Sequence, residues 1–254
     1  MHAEPSEGIC DQRSQSVRAS TDKDNFGRER EAPEIMVTRD LPNVRVDRNN
    51  PGFAEDVGDA AAALRAGELV VFPTETFYAI GADPMQPNAL AAILQVKGRE
   101  RDKPIALIAA NVVSAFAIAR EVPANARLLA ETFWPGALTV VLPARQGLNE
   151  ALIGPSGGIG VRVSPHPAAQ ALAAAAGGLV TATSANLSGE PPARTLMQAR
   201  QSLGARISVY LDGGKLSSDA PSTVVEFDED GCFRILRAGV IDHSAIAAVV
   251  GRRR

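Results

Sequence analysis

Leu69-Val70-Val71-Phe72-Pro73-Thr74-Glu75-Thr76-Phe77-Tyr78-Ala79-Ile80-Gly81 joins an apolar run to a hydroxyl-rich turn. Four apolar residues ending at a proline read as a short buried strand, because Pro73 has no N–H to give to a sheet ladder. Just before it, residues 55–66 put Ala and Leu on one helical face and stop at Gly67. A helix, a buried strand and a polar turn in succession make one unit of an α/β sheet, where ligands collect at strand ends. Thr74 and Thr76 supply hydroxyls at such an end. The plainer reading of the same residues is a turn held by Ser/Thr hydrogen bonds.

The alternation continues outward. Residues 88–96, 112–120, 124–133, 168–176 and 196–203 read as helices, and residues 104–109, 138–142, 159–163, 179–183, 207–211, 223–227 and 232–236 as strands. The last strands follow one another closely, which predicts antiparallel members. The expected fold is therefore α/β, an open twisted mixed sheet flanked by helices. Residues 1–35 are polar and lack an apolar period, so they read as a disordered N-terminal extension, with the folded domain over 36–254.

Composition narrows the function classes. The 254 residues are 45% hydrophobic and only 4% aromatic, so the core is aliphatic. Residues 1–35 carry five bases and eight acids, whereas the remainder carries 21 of each. The folded part thus has no global field for nucleic acid, and any basic site must be local. No apolar run reaches the roughly 18 residues of a membrane span, and no secretory signal is evident. Two cysteines without a CxxC pair and three scattered histidines suggest neither a disulfide framework nor a metal site, and a reducing cytoplasm is the expected setting.

Four further clusters carry candidate chemistry. Lys97-Gly98-Arg99-Glu100-Arg101-Asp102-Lys103 places four bases where a helix ends, suited to a polyphosphate or simply to the helix dipole. Gly157-Gly158-Ile159-Gly160-Val161-Arg162 sets an arginine inside an apolar strand, which calls for an anionic partner or an edge position. Thr181-Ala182-Thr183-Ser184-Ala185-Asn186-Leu187-Ser188-Gly189 leaves a strand with hydroxyls and an amide. Ser222-Thr223 leads a late strand, and Arg237 ends the next. Walker-type and GxGxxG motifs are both missing.

Taken in order, these clusters resemble the YrdC family, the threonylcarbamoyl-adenylate synthases. The likeness rests on Pro73–Gly81, Lys97–Ile105, Trp134-Pro135-Gly136-Ala137-Leu138-Thr139, Gly160–Pro165, Ser184–Gly189 and Ser222-Thr223-Val224. Ala79, Glu100, Ala137 and Ala238 depart from the usual residues of that pattern. Six motifs in one order are far more specific than any single one.

The resemblance implies a YrdC-like fold with a central basic hollow, and an enzyme that condenses L-threonine, bicarbonate and ATP to threonylcarbamoyl-AMP and pyrophosphate. It implies that Thr76, Arg162 and Ser222 bind threonine. Lys97, Arg99, Lys103, Ser184, Asn186 and Arg237 would surround the nucleotide, with Lys97 and Arg99 catalytic. Mg2+ is expected on the phosphates, with no dedicated metal site. A downstream transferase would carry the product to tRNA, with at most weak RNA contact by this chain and no membrane. Two other readings of the same pattern are a double-stranded RNA-binding protein of ribosome maturation and a carbamoyl-transfer module.

Overall fold

A computed structural model describes residues 56–98 and 103–251. The expected extension over 1–35 and the bases Arg99 and Arg101 lie outside the described residues, as does Glu100. In chain order the elements are α1 (Asp56–Arg65), β1 (Val70–Phe72), β2 (Ala79–Gly81), α2 (Pro87–Lys97), β3 (Leu107–Ala109), α3 (Val112–Phe116) and α4 (Ala124–Phe133). β4 (Leu138–Pro143), β5 (Gly158–Arg162), α5 (Pro167–Ala175), β6 (Leu179–Thr181) and β7 (Thr183–Ser184) follow. The described chain closes with α6 (Leu196–Leu203), β8 (Val209–Tyr210), β9 (Thr223–Phe227), β10 (Phe233–Arg237) and α7 (His243–Val250).

The strands form a four-stranded sheet, β7-β2-β1-β8, and a six-stranded sheet, β10-β9-β4-β5-β3-β6. Both are mixed: β1 runs parallel to β8 and antiparallel to β2, and β4 runs parallel to β9 and antiparallel to β5. The expected mixed α/β architecture is present, divided between two sheets. The division falls inside the segment 179–183, read above as one strand. Its first half pairs with β3 and its second half with β2. Between them, the Ala182 N–H donates to the Ala106 carbonyl at 2.8 Å, which turns the chain from one sheet into the other.

β1 shows why its sequence is continuously apolar. Val70 and Phe72 pack with Leu64 of α1 and Leu172 of α5, while Val71 packs with Tyr78, Ile80 and Leu107 on the other side. Successive side chains of a strand point to opposite faces, so burial on both faces demands apolar residues at every position. Gly81 completes this fit, since a Cβ there would lie 2.8 Å from Phe72 Cε1 and 2.9 Å from Val180 Cγ2.

Two elements escape the apolar pattern. β2 is three residues within the motif read as a turn. α7 is N-capped by Asp242, whose carboxylate accepts the Ala245 N–H at 2.8 Å. Among the described residues, no helix is long and apolar enough to cross a membrane.

The sheet junction is stitched by Thr181. Its N–H donates to the Ala82 carbonyl at 3.0 Å, and its hydroxyl accepts the Ala82 N–H at 2.7 Å. Both residues are fully buried. Thr181→Val keeps the volume and strands the Ala82 N–H, so the substitution should cost about 1–3 kcal/mol, read as a lowered urea midpoint at unchanged slope.

His166 caps α5, its Nδ1 accepting the Ala168 N–H at 3.2 Å. Burial holds its pKa below the ordinary 6.5, with nearby Glu75 pulling the other way. The neutral ring is thus the folded form, and the unfolded chain takes up the proton first. The resulting stability is complete above about pH 6.5 and is lost as pH falls. Denaturation at pH 7.5 and 5.5 should show a larger acid loss in the wild type than in His166→Asn, which keeps a capping oxygen without a titrating ring.

Candidate functional site

A cavity of about 800 Å³ opens on the six-stranded sheet. Its floor follows from strand periodicity. Ser222, Val224 and Glu226 at and along β9, Thr139 and Val141 of β4, and Gly158, Gly160 and Arg162 of β5 all line it, at every second position of their strands. Gly160 keeps the floor low beside Thr139, since a Cβ there would come to 3.2 Å from Thr139 Cγ2. The walls come from Thr74, Thr76 and Tyr78 around the β1–β2 turn, and from Thr183, Ser184 and Asn186 beyond the sheet junction.

The β1–β2 turn is built on Thr74. Its hydroxyl accepts the N–H groups of Thr76 at 3.2 Å and Phe77 at 3.3 Å and donates to the Phe77 carbonyl at 2.7 Å. It also meets the Thr76 hydroxyl at 3.1 Å. The sequence's plainer reading, a Ser/Thr-stabilised turn, is therefore present together with the cavity.

Arg162 is buried at the floor, and its Nε donates to Glu75 Oε1 at 2.9 Å. The other oxygen of Glu75 accepts from the Ser164 hydroxyl. The side chains are 7% and 13% exposed, so this pair is shielded from water and weakly screened. Among the described residues neither Nη of Arg162 meets a hydrogen-bond partner. An arginine held by Nε and lining a polar cavity presents a two-pronged donor suited to a carboxylate.

Ser222 lines the same cavity. Its hydroxyl lies 2.9 Å from the Thr139 hydroxyl and accepts from Arg237 Nη2 at 2.9 Å. Arg237 also donates to the Ser222 carbonyl through Nε at 3.1 Å and Nη2 at 2.8 Å. Arg237, Ser222 and Thr139 thus form one polar chain from the cavity rim to its floor.

Lys97 ends α2 and is 4% exposed. Its ammonium donates to the Ser184 and Asn186 carbonyls at 2.8 and 2.6 Å, and lies 3.1 Å from Asn186 Oδ1 and 3.4 Å from Ser184 Oγ. The amide of Asn186 donates in turn to the carbonyls of Leu187 and Glu190. Sequence reasoning placed Lys97, Ser184 and Asn186 together as nucleotide ligands. The structure brings them together, with Lys97 behind the loop as its anchor and Ser184 and Asn186 on the cavity wall.

Lys103 is exposed at the rim. Among the described lining residues, the bases Lys103, Arg162 and Arg237 are matched by the acids Glu190, Asp219 and Glu226. Among the described residues no group of three His, Cys, Asp or Glu could hold a metal ion. Tyr78 is pushed up to about 12, chiefly by burial, and donates to the Gly214 carbonyl at 2.8 Å. It acts as a neutral tie between the turn and the segment after β8.

The sequence reading assigned no role to Glu75, Thr139 or Glu226. Thr139 was legible in principle, because it alternates with Val141 in a strand otherwise apolar. Glu226 accepts from Ser156 and, at 2.7 Å, from Arg234. Nothing local to its strand signalled that contact.

The Sua5_yciO_yrdC family model, described as Telomere recombination, matches residues 62–239. A threonylcarbamoyl-AMP synthase of Alkalilimnicola ehrlichii is 37% identical over 184 residues, 72% of this chain and 95% of its own length. The threonylcarbamoyl-AMP synthase of Bacillus subtilis is 35% identical over 204 residues, 80% of this chain and 58% of its own. The crystal structure of Pyrococcus abyssi Sua5 complexed with L-threonine matches with a TM-score of 0.73 at 33% identity, over 78% of this chain and 58% of that one. This chain therefore spans little more than half the length of the Bacillus and Pyrococcus relatives. With most of its described residues, both sheets and the whole cavity floor inside the matched region, the chain belongs to the Sua5/YciO/YrdC family.

Proposed function

We propose that this chain is an L-threonylcarbamoyladenylate synthase, with residues 36–254 as its catalytic domain and residues 1–35 as a dispensable extension. The observation that carries the reading is Arg162. It is a buried arginine fixed through Nε, with both Nη groups at a cavity rich in hydroxyls, in a family with a member solved with L-threonine.

In this reading Arg162 takes the threonine carboxylate, and Thr76 and Ser222 take its polar groups. Threonine's amine adds to carbon dioxide and loses a proton, giving a carbamate. A carbamate oxygen attacks the α-phosphorus of ATP, a new P–O bond forms, and the bond to pyrophosphate breaks. The nucleophile is already anionic, so the chain's task is to hold several negative charges in line. Ser184, Asn186, Lys103, Arg237 and Arg99 serve the nucleotide. Lys97 serves it through the Ser184–Asn186 loop that it anchors. The described residues do not fit a dedicated metal cage, so Mg2+ would arrive bound to phosphate oxygens.

The product is a mixed anhydride that a separate transferase delivers to tRNA. The charge balance of residues 36–254 leaves this chain at most weak RNA contact. ATP and tRNA place the work in the cytoplasm.

The test is pyrophosphate release from ATP, Mg2+ and bicarbonate, with and without L-threonine. Release should require threonine and should not be matched by serine or valine. Arg162→Lys keeps the charge and loses the fork, and should lower threonine-dependent release roughly tenfold or more. Threonine-independent release by a folded chain would reject the reading.

A further inference from the structure

Glu75 stands directly behind Arg162. It does not line the cavity, whereas Arg162 and both neighbours of Glu75 in sequence, Thr74 and Thr76, do. One oxygen of Glu75 takes the Nε of Arg162 at 2.9 Å, and the other accepts from the Ser164 hydroxyl, which itself accepts the His166 N–H at 3.1 Å. Glu75 comes from the four-stranded sheet's turn, and Arg162 and Ser164 from the end of β5 in the other sheet. The carboxylate is thus fixed on one side and fixes a guanidinium on the other.

We infer that Glu75 is the positioning residue of the carboxylate-binding arginine: it occupies Nε and so turns the Nη pair toward the substrate carboxylate. The inference rests on the synthase reading. A guanidinium is planar, so fixing Nε and the direction of its bond sets where both Nη groups lie. Left alone, a long arginine side chain populates many rotamers, and each would carry the fork away from one ligand position.

Electrostatics alone predicts the opposite effect. A carboxylate beside Arg162 cancels part of its pull on an anion, so removing that charge should tighten binding of a second carboxylate. Orientation and charge therefore differ in sign, and two substitutions separate them. Glu75→Asp keeps the charge and loses the reach by one methylene. Glu75→Gln keeps the reach and an accepting oxygen and loses the charge.

The experiment is titration calorimetry of L-threonine against the full chain and both variants. Binding of a non-hydrolysable ATP analogue and the melting temperature are measured alongside. Positioning predicts that Glu75→Asp weakens threonine binding roughly ten- to a hundredfold with analogue binding unchanged. Glu75→Gln should recover most of that loss. Threonine affinity unchanged in a folded Glu75→Asp chain would overturn the inference. So would tighter binding by Glu75→Gln together with unchanged binding by Glu75→Asp, or equal losses of threonine and analogue binding. A wild-type chain that binds the analogue and no threonine would overturn the synthase reading, and this inference with it.

Discussion

Two sheets of this chain must end at one cavity, and a pair of residues sets how they meet. Thr181 gives its N–H to Ala82 and accepts the Ala82 N–H on its hydroxyl, in a region closed to water. A buried N–H without a partner is costly, so this exchange tolerates few alternative alignments. From it follows the placement of everything else. β2 and its turn, with Thr74, Glu75 and Thr76, lie in one sheet, and the floor with Thr139, Arg162 and Ser222 belongs to the other. The cavity is the space left where these strand ends converge.

The walls of that space hold buried cations in different ways. Lys97 is sunk behind the loop and meets four oxygens of Ser184 and Asn186. A buried ammonium requires such a shell, since desolvation otherwise favours its neutral form. The result is a loop whose shape depends on one charge that does not itself line the cavity. Arg162 is neutralised by a single carboxylate at Nε and keeps its fork toward the cavity. A half-satisfied buried cation is tolerable where an anionic ligand completes it. The same chemistry serves structure in one case and, in the proposed function, recognition in the other, and the difference lies in which donors remain.

Much of this was readable in the residues. The apolar run of β1, the succession of helical and strand stretches and the order of six motifs gave the element types, the fold class and the family. Arg162 stood out because an arginine within an apolar strand calls for an anionic partner or an edge position. The elements that eluded the pattern were short or polar: β2 has three residues, β7 has two, and both lie inside motifs rich in turn formers. α7 carried a legible signal in Asp242 followed by an apolar stretch, but its eight residues give little more than two turns of periodicity.

Sequence by itself determined which stretches are apolar, which residues carry charge and which peptide segments must turn, because those properties are set by side-chain chemistry within a few neighbours. Tertiary structure alone decided how the charges are shared. Glu75 and Arg162 are 87 residues apart, and Lys97 and Asn186 are 89 apart. No local pattern specifies that Glu75 takes Nε and leaves Nη, or that Lys97 turns to the loop and away from the cavity. Those choices depend on the register at which two sheets meet, and the register is fixed by burying polar backbone groups that only the folded chain brings together.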